Sequence, residues 1–399
     1  MRQWAVILNK DWPVFQQINS NTSWGSPASW LDRAVSRSCM IPYQGVPYEP
    51  EAFLRSTSRL QIAKKYLHKR FLLRAHGQTR LEQTHLDPSQ RILWVYAKRN
   101  FGDATMDTAG RALLKGLGVR IDLLALPSLV PLFSEDDVFG KIYGDPREVD
   151  ASRYDAILLS EYNLPSIRIK TQHFAKLPYA GLFRYFNGPD RNQTCFSFAS
   201  VNDVFSLGHD AGSLAARSKP YLASTPATRE SVRALLPARE YIALAAGGVD
   251  PDRTYHRWSE VIELLSKYEN ASAAKEIVVL GSDNGTEIAQ QLCASAPANV
   301  RIRSLTGKLT FLQAREIVAH AELFLGADGG LMHVAHTTQT PSVSLFRRQE
   351  PPYLRLTEAC RSIGLQGSGN VDTIPPAQVV GAALRQLAAL VPATAPAAA

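Results

Sequence analysis

The sequence predicts an α/β protein: two Rossmann-like domains facing a cleft, with an N-terminal extension ahead of them. Three observations predict it. Short apolar runs alternate with helix-like stretches from about residue 91, and the alternation starts again near residue 241. A Pro/Ser/Thr-rich stretch, residues 218–228, separates the two series. Glycines follow directly on several of the apolar runs. A brief apolar run bounded by turn formers fits a strand buried on both faces, and strand–helix–strand alternation implies a parallel sheet with right-handed crossovers. The expected division is an extension over 1–88 and an N-terminal Rossmann-like domain over 89–222. A C-terminal Rossmann-like domain over 223–390 and a disordered Ala/Pro tail over 391–399 complete it.

The elements follow in order. Residues 58–76 read as a helix with Leu60, Ala63, Leu67 and Phe71 on one stripe. Residues 91–97 read as the first strand, 101–105 as the loop after it, and 106–117 as a helix stopped by Gly118. Residues 119–125 and 154–160 are the next strands. Residues 127–143 and 162–191 carry no readable motif and are expected to be loops of the first domain. In the second series, strands are expected at 241–246, 277–280, 323–326 and 342–346, and helices at 258–268, 311–321 and 376–390. Two such units place a binding site between them, at the carboxyl ends of the strands.

Composition narrows the function classes. Of the 399 residues 45% are hydrophobic and 20% charged, as in an ordinary globular protein. No apolar run is long enough to span a bilayer, and residues 1–10 lack the apolar length and cleavage site of a secretion signal. Cys39, Cys195, Cys293 and Cys360 lie far apart without metal-like spacing, so a reducing, cytoplasmic location and no zinc site are expected. The net charge is +8, and the eight basic residues between Arg55 and Arg80, with no acidic residue among them, equal the whole excess. A charge so localised argues against a nucleic-acid partner. It leaves two readings for residues 55–80: a helix packed on the body with a solvated basic face, or a peripheral contact with an anionic membrane or acidic partner.

The segment with most chemical content is Gly326-Ala327-Asp328-Gly329-Gly330-Leu331-Met332-His333-Val334-Ala335-His336. It follows an expected strand and opens an expected helix. Glycine lets the backbone approach a ligand, and a helix start presents free N–H groups, so a diphosphate suits it. His333 lies one turn in and can face the same cleft. A plain strand-to-helix turn with a capping aspartate would read the same way.

The pattern Asp-x-Gly-x-x-His-x-Ala, followed by Thr340-Pro341-Ser342-Val343-Ser344-Leu345-Phe346, resembles the C-terminal signature of the heptosyltransferases, glycosyltransferase family 9. Those enzymes build the lipopolysaccharide inner core from ADP-heptose, and related members glycosylate autotransporter proteins. Gly307-Lys308-Leu309-Thr310-Phe311, Gly247-Gly248 and the segment from Arg253 to Trp258 fall in the family's order, and Phe101-Gly102-Asp103-Ala104-Thr105 resembles its Gly-Asp loop. The resemblance covers about residues 91–390 and implies a GT-B fold. It also implies an inverting, metal-independent transfer of a sugar from an ADP-sugar to a hydroxyl of a lipopolysaccharide core or a protein. Asp103 matches the proposed general base, a helix-capping aspartate being the alternative. Gly102, Gly247, Gly248, Arg253, Lys308, Leu309, Asp328, Gly329, Gly330 and His333 are the implied donor-binding residues, with Asp283 for a ribose hydroxyl. No cofactor is implied beyond the ADP-sugar substrate.

Two departures stand out. Arg253 stands where the family usually has a lysine, and Gly329 where it has serine or threonine. Asp250-x-Asp252 follows the Gly-Gly turn and reads as loop rather than as a metal site. Two other functions remain open: a sugar-nucleotide epimerase or hydrolase of the same fold, and a non-catalytic nucleotide-sugar-binding or scaffold protein.

Overall fold

The computed structural model describes residues 27–268 and 275–389. Residues 1–10 and the tail over 391–399 lie outside the described residues. Twelve described strands form two six-stranded sheets, every pairing parallel.

The first sheet contains β1 (Glu82–Gln83), β2 (Arg91–Tyr96), β3 (Arg120–Ala125), β4 (Phe139–Tyr143), β5 (Ala156–Leu159) and β6 (Tyr179–Gly181) in the order β1-β6-β5-β2-β3-β4. The second contains β7 (Ile242–Ala245), β8 (Glu276–Leu280), β9 (Arg301–Ser304), β10 (Leu323–Ala327), β11 (Ser342–Phe346) and β12 (Ser362–Gln366) in the order β12-β11-β10-β7-β8-β9. In each sheet the chain proceeds outward from one central strand, β2 or β7, and then returns to its other side. The order therefore reverses between β2 and β5 and between β7 and β10, and ligands of open α/β sheets bind at the carboxyl ends there.

The alternation inside β2 shows why these runs are strands. Ile92, Trp94 and Tyr96 enter the apolar layer on one face, while Leu93 and Val95 enter the layer on the other. β7 does the same, with Ile242 and Leu244 on one side and Ala243 and Ala245 on the other. With both faces covered, these strands have no polar side, which is why they read as unbroken apolar runs.

Three helices lead into the first sheet: α1 (Pro27–Cys39), α2 (Pro50–Ser56) and α3 (Arg59–Ala75). Val35, Cys39 and Ile62 join α1 to α3, and Leu73 of α3 enters the layer beneath β2 and β5. The expected stripe on α3 divides: Ala63 is buried, whereas Leu60 and Phe71 are 70% and 68% exposed and Leu67 also faces outward. The edge strand β1 comes from the segment assigned to the extension.

The first half continues with α4 (Phe101–Asp107), α5 (Val130–Phe133), α6 (Leu164–His173), α7 (Gln193–Val204) and α8 (Ala211–Arg217). The second holds α9 (Pro226–Val232), α10 (Trp258–Ser266), α11 (Thr286–Ala294), α12 (Phe311–Ala319), α13 (Gly330–His336) and α14 (Pro376–Ala388). One boundary differs from expectation. The helix begins at Phe101 instead of 106, so Asp103 lies in its first turn, and it gives way to a 3-10 segment, Ala109–Leu114. The break after Asp107 is set by Ser197 on α7. Its hydroxyl donates to Asp107 O (2.7 Å) and accepts from Gly110 N (3.0 Å), taking both groups out of the helical ladder. The stretches 127–143 and 162–191, expected as loops, contain β4, α5, α6 and β6. These elements are short, and the exposed middle of β4 interrupts its apolar pattern.

Arg111 ties the chain between the halves to the first one. Its guanidinium is fully buried and pairs with Asp136 (Nη2–Oδ2 2.6 Å, Nε–Oδ2 3.0 Å). It also donates to Thr108 O and to Tyr221 O, at 2.9 and 3.0 Å. Arg111→Leu would strand the Asp136 carboxylate in the core, at a cost of about 3–5 kcal/mol. Urea unfolding should show a loss of that size, and a loss under about 1 kcal/mol would mean that the pair behaves like a surface ion pair.

Candidate functional site

The two switch points face each other, and glycine sets how closely. Gly102 is the second residue of α4, and a Cβ built on it would lie 2.6 Å from Cδ2 of His333 on α13. A side chain at 102 would force the helices apart. Beside this contact Phe101 stacks on Phe311 of α12, ring centroids 4.6 Å apart. Asn192, which caps α7, donates to the carbonyls of Tyr353 (2.8 Å) and Leu356 (2.9 Å) of the second half.

Asp328 ends the turn after β10, and its carboxylate is almost wholly buried at 1% exposure. His333 Nε2 lies 3.4 Å away, Arg355 Nε 3.7 Å and Arg253 Nη1 3.9 Å. Burial would raise this carboxyl, but His333, Arg355 and Arg253 overcome it and hold the group well below the usual carboxylate range. Neither Asp328 oxygen, nor Arg253 Nε, nor His333 Nδ1 has a hydrogen-bond partner, although all are buried. Buried polar atoms are normally satisfied. A cluster that is not, with cations held beyond hydrogen-bond length, has donors to spare for an anionic ligand.

Arg253 is braced from behind. It pairs closely with Glu350 and lies 3.7 Å from Asp250. Arg347 reaches the same two carboxylates, at 3.0 Å for Glu350 and 2.9 Å for Asp250. Asp250 also accepts from Asp252 N at 3.0 Å, so Asp250-x-Asp252 forms a capped turn built into this ion network.

On the facing side, Asp103 accepts from Asn100 Nδ2 and from Gln193 Nε2, each at 3.1 Å. Both donors are side chains, so Asp103 is not acting as a backbone cap. Gln193 in turn accepts from Arg355 Nη1 at 3.1 Å. One amide therefore joins Asp103 of the first half to the Asp328 cluster of the second. Burial works to raise the Asp103 carboxyl, but Lys98, the two amides and Arg355 outweigh it, so Asp103 is held below the ordinary carboxylate range and is ionised at neutral pH. Lys98 is itself clamped between Asp107, at 2.8 Å, and Glu161. Burial opposes its charge, yet those carboxylates raise it above an ordinary lysine.

The structure thus brings together Gly102, Asp103, Arg253, Asp328, Gly329, Gly330 and His333. Gly329 is the N-cap of α13 in an extended conformation, and a Cβ there would meet only Ala327 O, at 3.8 Å. A serine would fit, so the glycine removes a hydroxyl without any demand from packing. Gly330 packs on the Phe311 ring, 3.2 Å from its position for a Cβ. After β7, Gly247 lets the backbone come against Gly285, which a Cβ would approach to 2.6 Å of its Cα, and Gly248 abuts Thr254 and Arg253.

Asp283 and Lys308 are not brought to the Asp328 cluster. Both are exposed, Asp283 beside Gly307 and Lys308 donating back to Ser304 O at 3.3 Å. Leu309 packs into the apolar layer under β7 and β8. Sequence reasoning missed Arg355, Gln193, Glu350 and Lys98. Lys98 carried a usable signal, as a cation two residues past the first Rossmann strand. The others lie in segments without spacing rules.

His336, one turn beyond His333, is buried on Ser344 (3.3 Å) and its pKa is lowered to about 3 by burial first and by His333 second, against the pull of Asp328. The unfolded chain binds this proton near pH 6.5, the folded chain only near 3. Stability present above pH 6.5 is therefore lost as pH falls through that window, by at most about 1.4 kcal/mol per pH unit. Urea midpoints should fall from pH 6.5 to 4.5 and fall less steeply in His336→Gln. Equal slopes in both proteins would contradict a neutral buried ring.

The sequence matches the family model described as glycosyltransferase family 9 (heptosyltransferase) over residues 147–366. Lipopolysaccharide heptosyltransferase 3 of Escherichia coli is 33% identical over 95 residues, 23% of this chain and 25% of that protein; the match thus spans a quarter of that relative's length. Among solved structures, a family 9 glycosyltransferase from Veillonella parvula aligns with TM-score 0.62 at 15% identity, covering 77% of this chain and all of that one. E. coli ADP-heptose lps heptosyltransferase II gives 0.57 at 20% identity over 75% of this chain and 99% of its own. E. coli heptosyltransferase WaaC with ADP gives 0.57 at 14% identity, with 74% and 99% covered. The fold these share is the expected two-domain GT-B arrangement.

Proposed function

The chain belongs to glycosyltransferase family 9, the heptosyltransferases, and from that premise we propose that it transfers a heptose from an ADP-sugar to an acceptor hydroxyl with inversion and without a metal ion. The observation that carries the reading is the Asp103–Gln193–Arg355–Asp328 chain across the cleft. It sets a carboxylate of one half within a few side chains of the cation cluster of the other. That spacing suits a reaction whose nucleophile and leaving group lie on opposite sides of one sugar carbon.

In the proposed step the acceptor oxygen attacks the anomeric carbon as Asp103 takes its proton. The bond to the diphosphate oxygen breaks, and its electron pair leaves with ADP. Charge gathers on that oxygen, and preorganised donors stabilise it: Arg253, Arg355 and the free N–H groups at the start of α13. Arginine at 253 supplies a fork of donors where a lysine would supply a point charge. Three guanidiniums, those of Arg253, Arg347 and Arg355, cluster where a metal would otherwise offset phosphate charge, which supports the metal-independent form of the proposal. The acceptor, a lipopolysaccharide core sugar or a protein hydroxyl, enters from the Asp103 side. A cytoplasmic location belongs to the same proposal, and all four cysteines are free thiols.

ADP should bind in preference to UDP, GDP and TDP. At about a hundred times its dissociation constant it should stabilise the protein by roughly 2.7 kcal/mol in a thermal-shift screen, and Arg355→Ala should reduce that shift. Equal shifts with all four nucleotides would remove the adenine preference. Asp103→Asn should lower kcat by about 10²–10⁴-fold with ADP affinity nearly unchanged, and EDTA should leave the wild-type rate alone. Turnover retained in Asp103→Asn would take the residue out of the mechanism. Release of ADP from donor at the full rate without acceptor would favour a hydrolase.

A further inference from the structure

Of the large apolar side chains exposed among the described residues, Leu60, Leu67 and Phe71 lie along α3, and Leu164 opens the neighbouring α6. The first three recur at helical spacing, so their exposure forms one stripe rather than the scattered exposure of any surface. The stripe borders a cavity of about 850 Å3 between α3 and the start of α6, walled by Phe53, Ile62, Leu72, Tyr162, Leu164 and Ile167. Sites for small molecules run roughly 300–1,000 Å3 and are mostly apolar.

The cavity also touches Lys64, Lys65, His68 and Lys69. Arg55, Arg59 and Arg70 of the same segment are matched by Glu51, Asp32 and Glu82. Among the described residues the three lysines have no such carboxylate partner. Lys69 is half-buried with only a long bond to Phe186 O, 3.5 Å. Burial lowers its pKa to about 8, against Glu161 and with the help of Arg191, Lys65 and Lys98.

We propose that α3 docks on the anionic lipid surface of a membrane, with its apolar stripe in the interface, its lysines on lipid phosphates and one acyl chain in the cavity. The three features select this occupant together. A nucleic acid would neutralise the lysines and leave the stripe in water. An apolar helix of another protein would cover the stripe and leave the lysines unmatched. An anionic amphiphile satisfies stripe, cavity and charge at once. The proposal does not depend on the reaction assigned to the cleft.

The full chain should co-sediment with sucrose-loaded vesicles of phosphatidylcholine plus phosphatidylglycerol, and at least about tenfold less with phosphatidylcholine alone or in high salt. Lys64→Glu/Lys65→Glu and Leu67→Glu/Phe71→Glu should each weaken binding by about tenfold or more, with unchanged thermal midpoints, since these positions are exposed. In Leu164→Trp, at the cavity, tryptophan fluorescence should be quenched by phosphatidylglycerol brominated on its acyl chains and not by unbrominated lipid. Three results would overturn the proposal: no sedimentation of the wild type with anionic vesicles, binding that survives both double variants, or a stripe variant that only dissociates a dimer.

Discussion

Taking the Asp328 carboxylate out of water costs several kcal/mol unless arginines and a polar ring are held against it. Much of the cleft follows from that requirement. His333 must come from the next turn of the same segment, Arg253 from the turn after β7, and Arg355 from the chain beyond β11. Each cation then needs its own restraint. Glu350 and Asp250 hold Arg253, and Arg347 neutralises both of those carboxylates. A network of this kind is nearly balanced in charge yet geometrically loose around Asp328 itself, with contacts of 3.4 to 3.9 Å. In the proposed transfer a diphosphate entering there meets arginines whose hydrogen bonds to Asp328 are unmade, while Glu350 and Asp250 hold Arg253 in place, which is the electrostatic preorganisation a developing leaving-group charge requires.

The same cluster couples the halves. Arg355 reaches Gln193 on one side and Asp328 on the other, and the turn around it gives its carbonyls to Asn192. Gly102 allows α4 to rest on the His333 ring. The contacts that orient the facing carboxylates are therefore also contacts between domains. Relative motion of the halves would disturb the cation cluster and the Asp103 hydrogen bonds together.

Much of this was legible beforehand. The central strands β2, β7, β10 and β11 are buried on both faces, so their sequences are unbroken apolar runs, and the glycines after them mark the switch points. The short outer strands are not legible. β1 and β6 are two and three residues long, and the middle of β4 is exposed, so neither length nor alternation separates them from loop. Where α4 ends is not legible either, because Ser197, some ninety residues on, decides where the helical ladder breaks. In the site, residues held by local turns, such as Asp328, Gly329, Gly330 and His333, could be read from spacing. Arg355 and Gln193 could not, because their positions relative to Asp328 depend on how two domains pack.

A base held below the ordinary carboxylate range is always ionised at neutral pH, but it is also a weak base, and proton transfer gains most when acid and base are matched. In the proposed transfer the two facts reconcile through the acceptor. The Asp103 charge is held down by Lys98, Gln193, Asn100 and Arg355 against the burial that would raise it. An acceptor sugar seated over α4 adds burial. A diphosphate beside Arg355 shares one of the cations that lower the Asp103 pKa. Each change moves the carboxyl upward, and the two add when donor and acceptor are present together. On this reading Asp103 is a stronger base in the ternary complex than in the free protein, where Lys98, Gln193, Asn100 and Arg355 hold its charge.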